Sequence, residues 1–167
     1  LSDQGDHAAR TWVRLLRAHA NMTRDFNAEL QSHGLTVTDF EALSRLAESP
    51  TGSLRRVDLA AALRLTPSGV TRLLDGLQGC GLVCKEACST DARVSYAHIT
   101  DKGRERLAGA ASTHLEALEG LFGERFSPQE LSALCELLGR LPGAGGDEGP
   151  ACPALNAADG VAAAKGT

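Results

Sequence analysis

Residues 58–83 read Asp-Leu-Ala-Ala-Ala-Leu-Arg-Leu-Thr-Pro-Ser-Gly-Val-Thr-Arg-Leu-Leu-Asp-Gly-Leu-Gln-Gly-Cys-Gly-Leu-Val. The Thr66-Pro67 pair in the middle sets the reading. A Thr hydroxyl at a helix N-cap accepts a bond from an amide of the first turn, and Pro suits the first helical position, where its missing N–H is not needed. A helix therefore starts at Pro67. Val70, Leu73, Leu74 and Leu77 then fall at i, i+3, i+4 and i+7, one apolar stripe, and the glycine-rich stretch Gly79 to Gly81 ends it. Just upstream, Val57 to Leu63 forms a second short helical stretch, so two helices meet at a turn containing Arg64 and Leu65.

Downstream, Leu82 to Ala87 and Val94 to Ile99 have strand-like composition and are separated by the turn-rich Cys88-Ser89-Thr90-Asp91-Ala92-Arg93. Two helices across a tight turn followed at once by a hairpin is the order of a winged helix-turn-helix, with a recognition helix over 67–79 and a wing over 82–99. Working outward, Ser49-Pro50-Thr51-Gly52 is a strong turn signal that ends an earlier helix. That helix begins after His33-Gly34, with Thr36 or Thr38 as its cap; Thr38-x-x-Glu41 matches a capping box. A long first helix runs from His7 to about Gln31, with Ala8, Trp12, Leu15, Leu16, Met22, Phe26 and Leu30 at helical steps. Beyond the hairpin, Thr100-Asp101 caps a helix carrying Leu107, Ala111, Leu115, Leu118 and Leu121. Ser127-Pro128-Gln129-Glu130 opens a last one along Leu131, Leu134, Leu137, Leu138 and Leu141. From Pro142 onward Gly, Ala, Pro and Asp prevail without an apolar period, so 142–167 is expected to be a flexible tail.

A chain of 167 residues is long enough to bury a core without disulfides or metal. Aromatics make up only 4% and Leu and Ala dominate, which favours packed helices. The formal charge of −4 argues against a nucleic-acid binder on average. Locally the balance reverses: from Ser53 to Arg106 nine Arg and Lys face six acids, a surplus of three. Nothing approaches about 18 consecutive apolar residues, and Leu1 to Arg10 lack the basic-then-apolar order of a signal peptide, so a cytoplasmic location without membrane contact is expected. Five irregularly placed cysteines do not form a disulfide framework and would be reduced in that compartment.

Residues 58–83, together with the wing segment Ser89-Thr90-Asp91-Ala92-Arg93 and the following Ile99-Thr100-Asp101-Lys102-Gly103, resemble the MarR (multiple antibiotic resistance regulator) family. The resemblance extends from the first helix to about Leu141; Asp91-x-Arg93 and Thr100-x-x-Gly103 are its most specific pieces. Cys84, Glu86, Cys88 and Val94 depart from the pattern, standing where charged or basic residues are common, so this wing is less basic. The resemblance implies a mainly α fold with a small β-wing, divided into a helical dimerisation region (1–34 and 101–141) and a DNA-binding winged helix-turn-helix (35–100). It also implies a transcription regulator, a ligand-responsive repressor acting as a homodimer on double-stranded operator DNA of pseudo-palindromic sequence.

Ser68, Thr71, Arg72 and Asp75 lie off the apolar stripe, on the face free to meet DNA. Amides and short hydroxyls at the helix start, with Thr66 and Pro67, suit phosphates, and Arg72 can donate two parallel bonds to guanine. The plain alternative is that Thr66 and Ser68 only cap the helix and Arg72 is a solvated charge. By resemblance, Arg93 enters the minor groove from the wing tip with Asp91 orienting it; the alternative is an ordinary surface ion pair. An effector is implied without being identified. Trp12, Arg17 and His19 on the first helix could border a site for a small aromatic or carboxylate molecule, or Trp12 could be core and the other two solvated.

Other chemistries find less support. Cys80, Cys84 and Cys88 fall at four-residue steps, but in a helix end, a strand and a loop; neither they nor His7, His19, His33, His98 and His114 show a zinc spacing. A thiol-redox-responsive regulator of the same fold stays open, as does a helical dimer acting through protein contacts without DNA. No phosphate loop, nucleophile elbow or metal motif points to an enzyme, and no cofactor or metal is expected.

Overall fold

The computed structural model describes residues 3–87 and 94–142. Helix α1 spans Asp3–Leu30 and passes through a 3-10 turn, Gln31–His33, into α2 (Val37–Glu48). The short strand β1 (Ser53–Arg55) leads directly into α3 (Arg56–Ala62), which is followed by α4 (Pro67–Gly79). Strands β2 (Val83–Ala87) and β3 (Ser95–Ile99) form the hairpin, and α5 (Asp101–Gly123) and α6 (Pro128–Gly139) complete the chain. The sheet is antiparallel in the order β1-β3-β2, with Leu54 opposite Ala97 on one side and Lys85 opposite Ala97 on the other.

The helix starts follow their chemistry. Thr66 is extended at φ −70°, ψ 159°, and its side chain accepts from the Gly69 amide at 3.1 Å, with Pro67 at the first helical position. Ser127 and Glu130 form the expected capping box, and Thr100 caps α5 through the Gly103 amide at 3.0 Å. Of the two expected caps of α2, Thr36 rather than Thr38 takes the position. Thr36 is the extended residue and pairs reciprocally with Asp39, while the Asn27 side chain accepts from the Val37 amide at 2.8 Å and ties α1 to this start. Two further boundaries shift: α1 begins four residues earlier than expected, and Ser53–Arg55 forms a third strand.

The core lies within the winged unit and the helices that touch it. Leu30, Leu43, Leu46, Leu59, Val70, Leu74, Leu82 and Val83 are almost completely buried, joined by Ala97, Leu107, Ala110 and Ala111. Each such Leu contributes roughly 1.5–3 kcal/mol relative to exposure. The start of α5 presses so closely on the wing that a Cβ at Gly103 would stand 2.2 Å from the Leu82 carbonyl oxygen. Only glycine fits there, a physical reason for the Thr-x-x-Gly spacing. Elsewhere the apolar stripes are uncovered. Trp12 is 60% exposed, Val13 and Leu16 are exposed beside it, and α6 has no buried residue, with Leu137 55% exposed.

Candidate nucleic-acid interface

Helix α4 is held against the core by Val70, Leu74 and Leu77, which turns Ser68, Arg72, Asp75 and Gly76 outward. The hydroxyls at its start have local partners. Thr66 Oγ1 lies 3.2 Å from Ser68 Oγ, and Thr71 Oγ1 donates to the Pro67 carbonyl at 2.8 Å, leaving Thr71 half-buried. Arg72 is exposed and has no ion pair or hydrogen bond among the described residues. A guanidinium in that position keeps its donors for an external acceptor. Asp75 is instead neutralised by Lys85 of β2, which couples the helix to the wing.

Several further contacts brace the wing. Thr100 Oγ1 donates to the Gly81 carbonyl at 2.8 Å, and Lys102 Nζ donates to the Cys80 carbonyl at 2.8 Å, so the start of α5 holds the turn between α4 and β2. His98 Nε2 stands 3.3 Å from the Glu86 carboxylate across the hairpin. At the edge of the unit Arg55 donates to both Asp58 oxygens, at 2.6 and 2.8 Å; these hydrogen bonds, and then the charge of Asp58, raise its pKa further. Arg64, in the turn between α3 and α4, is the one non-glycine residue with positive φ among those described, at 52°.

Away from this face, α1 and α5 enclose an open cleft of about 360 Å³, lined among others by Met22, Phe26, Glu29, Glu116, Leu121 and Arg125. Beside it His114 sits between the rings of Phe26 and Phe40, at centroid distances of 5.0 and 4.9 Å. Its Nδ1 is sealed from solvent without a hydrogen-bond partner. Burial pushes the imidazole pKa below its usual value, against the opposing charge of Glu29.

Residues 33–94 match the sequence profile of the MarR family. AbsC, a MarR family transcriptional regulator from Streptomyces coelicolor, is 30% identical over 83% of this chain and 91% of its own, with a TM-score of 0.71. The chain belongs to the MarR family. A second MarR family regulator from the same organism, Sco3205, solved in complex with DNA, is 28% identical with a TM-score of 0.72, covering 77% of this chain and 81% of its own. The HTH-type transcriptional regulator MhqR of Bacillus subtilis is 25% identical over 136 residues, 81% of this chain and 92% of its own.

In this MarR chain the structure places Thr66, Pro67, Ser68, Thr71 and Arg72 together on the first turns of α4. Asp91 and Arg93, with Cys88, lie outside the described residues. Trp12, Arg17 and His19 are exposed on α1, and none of them lines the α1–α5 cleft. Cys80 and Cys84 are both exposed, and no group of three or more potential metal ligands occurs among the described residues. None of the described helices is long and apolar enough to cross a membrane. Sequence reasoning missed Lys85 and the cleft. Lys85 meets Asp75 across a helix-to-strand turn, where no fixed spacing signals the pair.

Proposed function

We propose that this MarR protein is a sequence-specific DNA-binding transcription regulator, a homodimer that docks α4 of each subunit in successive major grooves of a pseudo-palindromic operator. The observation that carries this is Arg72: a guanidinium without a partner among the described residues, on the outward face of a helix whose start is capped and Pro-primed and which Asp75 ties to the wing through Lys85. In this reading Ser68 and the α4 amides hold phosphate, Arg72 reads a base edge, and Arg93 with Asp91 reaches the flanking minor groove. Residues 35–100 form the DNA-binding unit, and 1–34 with 101–141 the dimerisation region. The uncovered apolar residues of α1 and α6 support that division, since a second copy would cover them.

The regulator acts as a ligand-responsive repressor, with a small effector changing the separation of the two recognition helices. The test is selection of genomic fragments by the purified protein at near-physiological salt, followed by anisotropy titration of the enriched site across a salt series. An inverted repeat bound by a dimer, with affinity falling as salt rises, is the expected result. Failure to enrich any sequence even at low salt would overturn the proposal.

A further inference from the structure

Asp75 is the only acid in α4. It lies three residues after Arg72, and side chains at i and i+3 on a helix are neighbours, about 5–6 Å apart at Cβ. Little else on the helix is placed to hold Arg72. Gly69 and Gly76, one turn before and after it, carry no side chain, and the Ser68 hydroxyl is engaged with Thr66. Left to itself, α4 would close an Arg72–Asp75 ion pair on its outward face. The structure has a different arrangement: Lys85 Nζ donates to Asp75, and Arg72 is exposed without a partner among the described residues. Strand register explains why Lys85 takes the carboxylate. Lys85 stands opposite Ala97, which is fully buried, so both face the inner side of the sheet, and α4 packs against β2. Cys84 and Glu86, on either side of it, are exposed. The Lys85 side chain is only 27% exposed, so its stem is covered and its ammonium emerges beside Asp75.

We infer that Lys85 is a positioning residue for DNA recognition: by holding Asp75 it keeps the Arg72 guanidinium free to reach a base edge. The inference rests on the reading of Arg72 given above and adds what makes that side chain available. Loss of Lys85 has two consequences. Asp75 turns to Arg72, and guanidinium donors engaged by a carboxylate have to be withdrawn from it before they meet guanine. The carboxylate also stands uncompensated toward a polyanion, and like charges brought together across an interface oppose binding. Both consequences act through Asp75, so both vanish when Asp75 loses its charge.

The experiment is anisotropy titration of operator and scrambled duplexes across a salt series with four full-length proteins: the parent, Lys85→Met, Asp75→Asn and the double variant. Circular dichroism checks that each is folded. Lys85→Met keeps the apolar stem and removes the charge, and Lys85→Gln serves as a second variant of the same kind. Each should lose operator affinity on the order of tenfold, and with it discrimination against scrambled DNA. Adding Asp75→Asn to Lys85→Met should restore most of that loss, and Asp75→Asn alone should cost less than Lys85→Met. A pair that only ties the helix to the wing gives equal losses in the two single variants and no recovery in the double one. A Lys85 that grips a phosphate gives a loss that Asp75→Asn does not repair, with the salt slope reduced by about one. Either of those results, or parental binding by Lys85→Met, would overturn the inference. If the parent binds its operator in those cases, only the role of Lys85 fails; if the parent selects no operator, the reading of Arg72 beneath it fails as well.

Discussion

Replacing Gly103 by alanine places a methyl group 2.2 Å from the Leu82 carbonyl oxygen, 2.9 Å from Ile99 and 3.1 Å from the Leu82 carbonyl carbon. Two of the three atoms are backbone, so no rotamer change relieves the clash; the start of α5 has to move away from the wing. That movement strains the Thr100 amide bond to Leu82 at 3.1 Å and the Thr100 hydroxyl bonds to Gly81 and Leu82 at 2.8 and 3.1 Å. Overpacking costs roughly 1–3 kcal/mol, and each weakened hydrogen bond about 1 kcal/mol, against a helix-propensity gain below about 1 kcal/mol. A net loss of about 3 kcal/mol follows, or roughly 6–12 °C in Tm for a chain of this size. Gly76→Ala is the internal control. It lies inside α4 and its Cβ would meet nothing within 4 Å, so it should stabilise the protein by about 0.8–1 kcal/mol. Thermal unfolding followed by circular dichroism, at one fixed protein concentration, gives both signs. A Gly103→Ala variant as stable as the parent would refute the argument that close approach of α5 to the wing demands glycine.

Thr66→Ala removes the acceptor for the Gly69 amide and should lower stability by about 1 kcal/mol in urea unfolding, with Thr66→Ser close to the parent. Arg72→Ala should reduce discrimination between operator and scrambled DNA, whereas Arg93→Ala should weaken binding to both; equal, sequence-independent losses would contradict this division of roles. His114 has a folded-state pKa below its ordinary 6.5, so the unfolded chain takes up a proton that the folded chain refuses. Its contribution to stability is complete above about pH 6.5 and declines as the pH falls below it; His114→Leu should flatten that part of the urea midpoint measured against pH. Leu137→Asp with Leu141→Asp, both at exposed apolar positions, should shift sedimentation from dimer to monomer, and an unchanged dimer would count against α6 as part of the interface.

Local chemistry made much of the winged unit legible. A Thr cap, a Pro at the first position and a four-residue apolar stripe define α4 to the residue, because each signal acts within one or two turns. The strand Ser53–Arg55 was not legible: three residues carry no period, and β1 exists only through pairing with β3, more than forty residues away. The α2 cap was legible only as a choice between Thr36 and Thr38, because both are followed by an acid three residues on; Thr36 takes the role, with Asp39 doing the work expected of a Glu. The stripe of α1 was read correctly as helical, but periodicity does not reveal whether a face is covered, and Trp12 remains exposed. The cleft was hidden for a similar reason. Its two walls are some ninety residues apart, and each alone reads as ordinary core positions flanked by solvated acids.

Helix α5 has the properties of a lever. Its first turn is pinned beneath the wing at Gly103, and its later turns form one wall of the cleft around Gly120. At 1.5 Å per residue those points are about 26 Å apart along one continuous helix of 23 residues. A tilt of about 5° pivoting at the cleft therefore carries the wing base by about 2 Å, close to the length difference between a made and a broken hydrogen bond. A rigid rod thus converts a small rotation at one end into a displacement of hydrogen-bond scale at the other.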